Sequence, residues 1–200
     1  MYVYDVFMRN ADNITRRYND YDHAEKQQNG YDFTIDYNGN WYYHSGALAG
    51  PIKRDRLAAL FGGAGSGFMA GKGLLRDESG QYWLRSPDGQ YGVDVEDVPF
   101  LVTGLSIEKF GSAEQSIKVT TNFDETVVLG RDHPVFMRAE PQGQQQVLYC
   151  VIRKGLEARF SRAVFSELVL KDILTLDEDG HYTLRSSGEI FRFKLDTAEN

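Results

Sequence analysis

The sequence has few of the side chains that disulfide bonds, redox centres and metal sites require. It contains one cysteine, Cys150, so no disulfide can form within the chain. Cys150 lies in the apolar run Q-V-L-Y-C-V-I, where a thiol is expected to pack as a small hydrophobic side chain. The four histidines show no H-E-x-x-H spacing and have no C-x-x-C motif near them, so we predict no metal site and no cofactor.

Long apolar runs and an excess of positive charge are absent as well. No apolar segment approaches the roughly 20 residues that a membrane-spanning helix needs, and the first residues lack the basic and apolar regions of a signal peptide. The formal net charge is −7, whereas nucleic-acid binding usually requires a surplus of Lys and Arg. We therefore expect a cytoplasmic protein that binds neither membrane nor nucleic acid.

Most of the recognisable local patterns in the sequence indicate β-strands. The hydrophobic content of 42% is enough for a real core, although residues 1–30 are polar and predict an N-terminal extension with little core of its own. The run F-T-I-D-Y-N-G-N-W-Y-Y predicts a hairpin around Asn38-Gly39. Strand-like runs recur from Q-Y-W-L-R to E-I-F-R-F-K-L near the end of the chain.

Two segments predict helices. Pro51 suits the first position of a helix that Gly62 and Gly63 would end. In the second half, apolar residues fall at i, i+4, i+7, i+8 and i+12, which predicts one helical stripe. These residues are Leu156, Phe160, Ala163, Val164 and Leu168.

One decapeptide occurs twice. D-E-S-G-Q-Y-W-L-R-S at 77–86 recurs as D-E-D-G-H-Y-T-L-R-S at 177–186, with seven of ten positions identical. Because each copy follows a predicted helix, the pattern favours a duplicated α+β unit over the coincidence of a common D-E-x-G turn. We predict an α+β fold of two related halves, 31–103 and 104–200, each with mostly antiparallel strands and one main helix.

The glycine-rich run G-G-A-G-S-G-F-M-A-G-K-G invites comparison with a phosphate-binding loop. Gly73, however, stands where a Walker A loop needs Ser or Thr, and the run follows a predicted helix rather than a strand. A flexible connector is therefore the preferred interpretation.

Carboxylates and one histidine leave an enzymatic function open. Asp94, Glu96 and Asp97 lie in V-D-V-E-D-V-P-F, and His133 follows an aspartate in R-D-H-P. Such groups can serve acid–base chemistry, but more often they form a solvated face or cap a turn. Since no G-x-S-x-G motif is present, a hydrolase is only the second alternative, and the chain is expected not to be an enzyme.

Basic side chains cluster where the two helices are predicted to start. A helix start already carries positive dipole charge, so added cations there disfavour the helix and favour a bound anion. This predicts a small anionic ligand in a cleft shared by the halves, with ordinary solvated charges as the alternative. The cations are Lys53, Arg54, Arg56, Arg153, Lys154, Arg159 and Arg162.

Several long motifs, in order between residues 31 and 193, resemble the bacterial domain-of-unknown-function family 1285. They include W-Y-Y-H-S-G-A-L-A-G-P-I-K-R-D-R-L-A-A-L-F, V-D-V-E-D-V-P-F, V-T-T-N-F-D-E-T-V-V-L-G-R-D-H-P and G-L-E-A-R-F-S-R-A-V-F-S-E-L. The resemblance implies a duplicated core, a C-terminal half similar to pleckstrin-homology-like folds, and a nucleotide-like ligand between the halves with a role in signal transduction. Matching positions include Arg54, Asp97, His133 and Arg162.

The predicted function is therefore non-enzymatic binding of a small anionic, nucleotide-like ligand. Arg54 and Arg162 would pair with phosphate-like groups, and Trp41 or Tyr82 would stack on a base. The first alternative is a protein–protein interaction module. The complete set of predicted ligand-binding residues is Trp41, Lys53, Arg54, Arg56, Tyr82, Asp97, His133, Arg153, Arg159 and Arg162.

Overall fold

The computed structural model of the protein describes residues 30–43, 73–86, 89–141, 143 and 146–194. The predicted N-terminal extension, the helix predicted to start at Pro51 and the glycine-rich run lie almost wholly outside these residues. With them, three of the predicted ligand-binding cations lie outside the described part of the chain: Lys53, Arg54 and Arg56.

Five strands form the first sheet. They are β1 (Phe33–Ile35), β2 (Trp41–Tyr43), β3 (Gly73–Arg76), β4 (Tyr82–Ser86) and β5 (Gly89–Val95), in the spatial order β2-β1-β5-β4-β3. Neighbouring strands are antiparallel except β1 and β5, which run parallel. The predicted hairpin is confirmed, since β1 pairs with β2 and Gly39 adopts a φ of 75°, which glycine tolerates without strain.

Six strands form the second sheet. They are β6 (Phe100–Glu108), β7 (Ser116–Thr121), β8 (Thr126–Val128), β9 (Val135–Ala139), β10 (Gln146–Arg153) and β11 (Leu156–Phe160). Their order is β8-β7-β6-β11-β10-β9, so two antiparallel meanders meet along a parallel pair, β6 and β11. Strand β6 begins at Phe100, before the predicted boundary between the halves, and that boundary stays a prediction.

The helix predicted over Leu156–Leu168 is wrong in its first part. Residues 156–160 form strand β11, and the helix, α1, spans Arg162–Leu170. The strand is favoured because its backbone pairs with β10 on one side and β6 on the other, contacts that periodicity along the chain does not reveal. Ser161 ends the strand and caps the helix. Arg159 therefore lies on a strand.

The third sheet contains β12 (Leu174–Leu176), β13 (His181–Ser186) and β14 (Glu189–Lys194), in that order. Its pairing matches that of β3, β4 and β5. Leu174 lies opposite Leu184, as Leu74 lies opposite Leu84 in the first sheet. The outer strands also match, since residues 182 and 193 are paired in the third sheet and residues 82 and 93 in the first.

The turns of the two decapeptides have the same hydrogen bonds as well. The carbonyl of Asp77 accepts from the N–H of Gly80 at 3.1 Å, and the carbonyl of Asp177 accepts from Gly180 at 3.1 Å. Each aspartate carboxylate also accepts from the N–H groups two and four residues later. These bonds fix the turn, so the repeated motif has a structural role in both places.

One hydrophobic core joins the three sheets and α1. Cys150 is completely buried in this core, which confirms that its thiol packs as a hydrophobic side chain. Burial also raises the pKa of the thiol. Other fully buried members are Ile35, Leu84, Phe100, Ile152, Leu168 and Leu184.

The described residues are mostly strand, with α1 as the one helix among them. The coarse α+β assignment with mostly antiparallel strands is therefore confirmed, whereas the duplication of whole halves and the pleckstrin-like form stay predictions. In the part of the chain that the structure describes, no helix is long and apolar enough to cross a membrane.

Replacing Leu168 by alanine should destabilise the protein, because this fully buried residue joins α1 to the core. We expect the free energy of unfolding to fall by about 2–5 kcal/mol. Leu170 is the matched control, since it lies on the same helix but is 70% exposed; its replacement should change stability by less than about 0.5 kcal/mol. Urea denaturation followed by circular dichroism measures both, and equal losses would contradict this account of the core.

Candidate functional site at the junction of the first two sheets

Three strands of the second sheet direct polar side chains at one carboxylate, Asp97, which follows β5. Its side chain is 1% exposed. The hydroxyl of Tyr149 on β10 lies 3.1 Å from both carboxylate oxygens and donates to them. Arg138 on β9 approaches Oδ1 at 3.5 Å, and Arg159 on β11 approaches Oδ2 at 3.5 Å. The carboxylate is thus enclosed by one hydroxyl and two guanidinium groups.

Strand register explains why these side chains meet. Tyr149 pairs with Arg159 on one side and with Phe136 on the other, so all three project from one face of the sheet. Arg138 lies two residues beyond Phe136 on β9 and shares that face, because alternate residues of a strand point the same way. The sequence does not reveal the arrangement, because the strands are joined only by their pairing.

Tyr37, in the β1–β2 turn, connects the first sheet to this cluster. Its carbonyl accepts a hydrogen bond of 2.5 Å from Nη2 of Arg159, whose guanidinium lies 3.3 Å from the centre of the tyrosine ring. Its hydroxyl donates to the buried carboxylate of Glu140, and its backbone N–H donates to Glu96 at 2.8 Å. One turn of the first sheet is therefore held against the second by a cation–π contact with Arg159 and by hydrogen bonds with Arg159 and Glu140.

Burial is the main influence on the pKa values of the carboxyl groups at the junction. It raises the pKa of Asp97 to about 6, although the Tyr149 hydroxyl and the Arg138 guanidinium lower it. Burial also raises the pKa of Glu140, against the lowering effect of Arg162. The loss of hydration thus outweighs the nearby positive charge, and the junction contains a carboxyl group that changes charge close to neutral pH.

An aromatic and basic surface lies beside the buried carboxylate. The guanidinium of Arg138 is 4.2 Å from the centre of the Tyr149 ring, and this ring stacks on Phe136 with 5.7 Å between centroids and 13° between planes. The Arg138 side chain is 42% exposed and also donates to Glu157 at 2.9 Å. A cation accessible to solvent therefore lies on a rigid aromatic support.

Tyr82 of the first sheet borders the same cluster. Burial raises its pKa most. The charges of Arg76 and Arg138 lower this pKa, and the charges of Glu157 and Asp97 raise it. The Arg76 guanidinium lies 5.3 Å from its ring centre. The structure thus brings together three predicted site residues, Tyr82, Asp97 and Arg159.

Two further predicted residues lie in a separate cluster. Arg153 at the end of β10 pairs with Glu125 at 3.1 Å, and Nδ1 of His133 lies 3.1 Å from the carbonyl of Val151. Burial raises the pKa of Glu125, while the charges of Arg153 and His133 lower it. These groups connect the β7–β8 turn with β10, and the participation of Arg153 and His133 in ligand binding stays a prediction.

The remaining described residues of the prediction lie apart. Trp41 is 1% exposed and makes edge contacts with Phe33 and Phe123, so it belongs to the core. Arg162 is the exposed first residue of α1, and its charge lowers the pKa of Glu140.

Sequence reasoning missed much of the junction. Glu140, which is 7% exposed, carries no local signal because it follows the end of a strand. A strand with alternating polar residues could have indicated Arg138 and Glu157, but their partners depend on register. The other residues missed are Tyr37, Phe136 and Tyr149.

A group of possible metal ligands occurs in the second decapeptide. Ligand atoms of Asp177, Asp179 and His181 lie within 4.8 Å of one another. Arg192 already pairs with both aspartates at 2.7 Å, and Asp177 caps the turn. The turn and this arginine account for the group without an ion.

Residues 99–193, which include most of this junction, match the C-terminal domain of the DUF1285 family, whose members are described as proteins of unknown function. The resemblance to the DUF1285 family that the sequence motifs predict is therefore confirmed over residues 99–193.

Two crystal structures of DUF1285 family proteins resemble this chain. One, from Silicibacter pomeroyi DSS-3, is 28% identical with a TM-score of 0.64, and the match covers 84% of this chain and 81% of that one. The other, from Shewanella baltica OS155, is 22% identical with a TM-score of 0.45, covering 70% of this chain and 92% of that one. No curated protein matches the chain. The domain match and the Silicibacter pomeroyi structure therefore show similarity to the DUF1285 family and its fold, and neither names an activity.

Stability should depend on pH through Asp97. Because the folded-state pKa is raised from 3.8 to about 6, folding favours the protonated form. This contribution is fully present below the unfolded pKa and is lost as pH rises through 6. Relative to Asp97→Asn, the wild type should therefore lose on the order of 2–3 kcal/mol of unfolding free energy between pH 4 and 7.

The measurement is chemical denaturation of both proteins across that pH range. Asp132→Asn serves as the control, since Asp132 is exposed and its replacement should leave the pH profile parallel to that of the wild type. If the Asp97→Asn profile also runs parallel to the wild type, Asp97 does not titrate as described.

Proposed function

We propose that this protein is a non-enzymatic, cytoplasmic binding and sensing protein for a small anionic, nucleotide-like ligand at the junction of its halves, with a role in signal transduction. The observation that supports this proposal is the position of Arg138. Its guanidinium is partly exposed and lies on the stacked rings of Tyr149 and Phe136, above a buried carboxylate.

The chemistry of this surface suits a phosphate joined to a planar ring. A guanidinium group can donate two parallel hydrogen bonds to a phosphate or carboxylate. Aromatic faces stack on bases of any sequence, and Tyr82 and Phe136 are both partly accessible beside Arg138. The exposed Arg162 adds positive charge near the same edge.

Asp97 gives the proposed site a pH dependence. An anion bound to Arg138 is repelled by the charged carboxylate and is not repelled by the protonated one. Since the pKa of Asp97 is about 6, ligand affinity should fall as pH rises through this value. Binding of an anion should in turn raise the pKa of Asp97 by linkage.

The residues considered for a hydrolase have other contacts. Glu96 accepts from the backbone of Tyr37 and His133 lies against the backbone of Val151. Both side chains thus fix loops in place, which favours binding over hydrolysis. A protein–protein interaction module is the remaining alternative, and the experiment below distinguishes it.

The duplication of the two halves is part of the same proposal. It is supported by the shared register and turn bonds of β3–β5 and β12–β14. A pleckstrin-like C-terminal half is proposed from the family resemblance alone.

A thermal-shift panel tests the ligand proposal with nucleotides, the matching nucleosides and inorganic phosphate. A nucleotide at one hundred times its Kd stabilises the folded state by about 2.7 kcal/mol, which raises the Tm by about 5–10 °C for a chain of this size. Nucleosides should give less than half of this shift, because they lack the group that Arg138 would bind. The shift should also be larger at pH 5.5 than at pH 7.5.

Variants locate the site. Arg138→Gln should lower nucleotide affinity about tenfold or more, since it removes the phosphate partner and keeps a polar side chain. Arg131→Gln is the control, because the Arg131 side chain is 87% exposed and pairs with Glu189, away from the junction. No shift from any anion, or equal shifts in both variants, would contradict the proposal; a stoichiometric protein partner in pull-downs without any anion response would favour the interaction module.

A further inference from the structure

A concave surface lies among residues 110–190, and none of the residues that line it belongs to the junction. This cleft, of about 480 Å³, separates the β6–β7 turn from the outer face of the β12–β14 sheet. Its volume is within the range of roughly 300–1,000 Å³ that is typical of small-molecule sites. The lining residues used below are Phe110, Gln115, Asp172, Thr183, Arg185 and Ile190.

Gln115 holds the wall of the cleft in place. Its side-chain amide donates to the carbonyl of Arg185 at 2.8 Å and its side-chain oxygen accepts from the N–H of Gly111 at 3.0 Å. Its own carbonyl accepts from Ser187 at 2.8 Å. Since Gln115 is only 8% exposed, the turn and the sheet are joined by buried hydrogen bonds, and the cleft is preformed.

Two large apolar side chains at the cleft are exposed to solvent. Phe110 is 59% exposed and Ile190 is 60% exposed. They are two of the five large hydrophobic residues that are exposed in the described part of the chain. Their presence at one cleft favours a ligand with an apolar group, because covering them removes apolar surface from water.

One cation and one carboxylate of the cleft have no partner. Within the described residues, the side chains of Arg185 and Asp172 take part in no hydrogen bond or ion pair. Another carboxylate at the cleft, Glu189, is already paired with Arg131 at 3.3 Å. The cleft therefore offers one positive and one negative group, and a ligand with both charges would match it.

The strand register places these two charges near each other. Leu174, the first residue of β12, lies opposite Leu184 on β13. Asp172 comes two residues before Leu174, and Arg185 directly follows Leu184, so the two lie at the same end of the strand pair. An α-amino acid carries its ammonium and carboxylate groups on one carbon, so a ligand of this class presents both charges to the same end of the cleft.

We propose that this cleft binds a small zwitterion with an apolar side chain, namely an apolar α-amino acid. Arg185 binds the carboxylate, Asp172 binds the ammonium group, and the side chain lies between Phe110 and Ile190. An exposed pair of Arg185 and Asp172 would contribute at most about 1 kcal/mol, so it competes weakly with the ligand. The site is independent of the junction and of the function proposed for it.

The test is an NMR titration of the full chain with L-phenylalanine and L-leucine. Two analogues, 3-phenylpropionate without the ammonium group and 2-phenylethylamine without the carboxylate, measure what each charge contributes. Saturable shifts should occur at the amides of Thr183 and Ile190, and the amino acid should bind at least fivefold more tightly than either analogue.

Variants assign the binding to the named side chains. Arg185→Gln should lower the affinity about fivefold, and Asp172→Asn should remove the preference for the amino acid over 3-phenylpropionate. Arg85→Gln is the matched control, because Arg85 lies opposite Gln90 in the first sheet as Arg185 lies opposite Ile190 in the third. All three side chains are exposed, so the variants should keep the wild-type spectrum without ligand.

Three results would overturn the proposal. They are the absence of saturable shifts with either amino acid, equal affinity for 3-phenylpropionate and L-phenylalanine, and unchanged binding in Arg185→Gln. Binding of an apolar peptide in the cleft without binding of the free amino acid would also overturn it and would identify a protein-docking surface.

Discussion

The buried guanidinium of Arg159 is the constraint on which the arrangement of the first two sheets depends. It donates to the Tyr37 carbonyl at 2.5 Å, lies over the Tyr37 ring and pairs with Asp97. A buried charge that loses its partner costs several kcal/mol. The first sheet therefore cannot leave the second without leaving Arg159 uncompensated, and the β1–β2 turn is held where the two sheets meet.

The same constraint shapes the chemistry of the junction. Arg159 reaches Asp97 from one side, and because the side chain of Asp97 is only 1% exposed, burial raises its pKa to about 6. Arg138 reaches Asp97 from the other side and keeps 42% of its side chain exposed. The buried Arg159 and the accessible Arg138 thus share the carboxylate of Asp97. The charge of this carboxylate therefore affects both the stability of the fold and the charge of the exposed surface.

Local signals predicted turns and strands well, because those elements depend on residues close in sequence. The Asn38-Gly39 hairpin and both D-E-x-G turns form where glycine and aspartate can satisfy a tight turn. Residues 156–160 were misassigned, since apolar spacing fits a helix and a buried strand equally. Pairing with β6, more than fifty residues away, favours the strand.

The sequence by itself determined the β-rich class, the turns of the repeated decapeptide, the resemblance to the DUF1285 family and the burial of Cys150, because composition and short-range patterns suffice for these. Tyr82, Asp97 and Arg159 were predicted as site residues without the partners that hold them. Only the tertiary structure placed Tyr149 and Arg138 around Asp97, and only it formed the cleft beside Arg185. Such sites depend on strand register between distant segments. The spacing of residues along the chain does not reveal which distant side chains will form hydrogen bonds with each other.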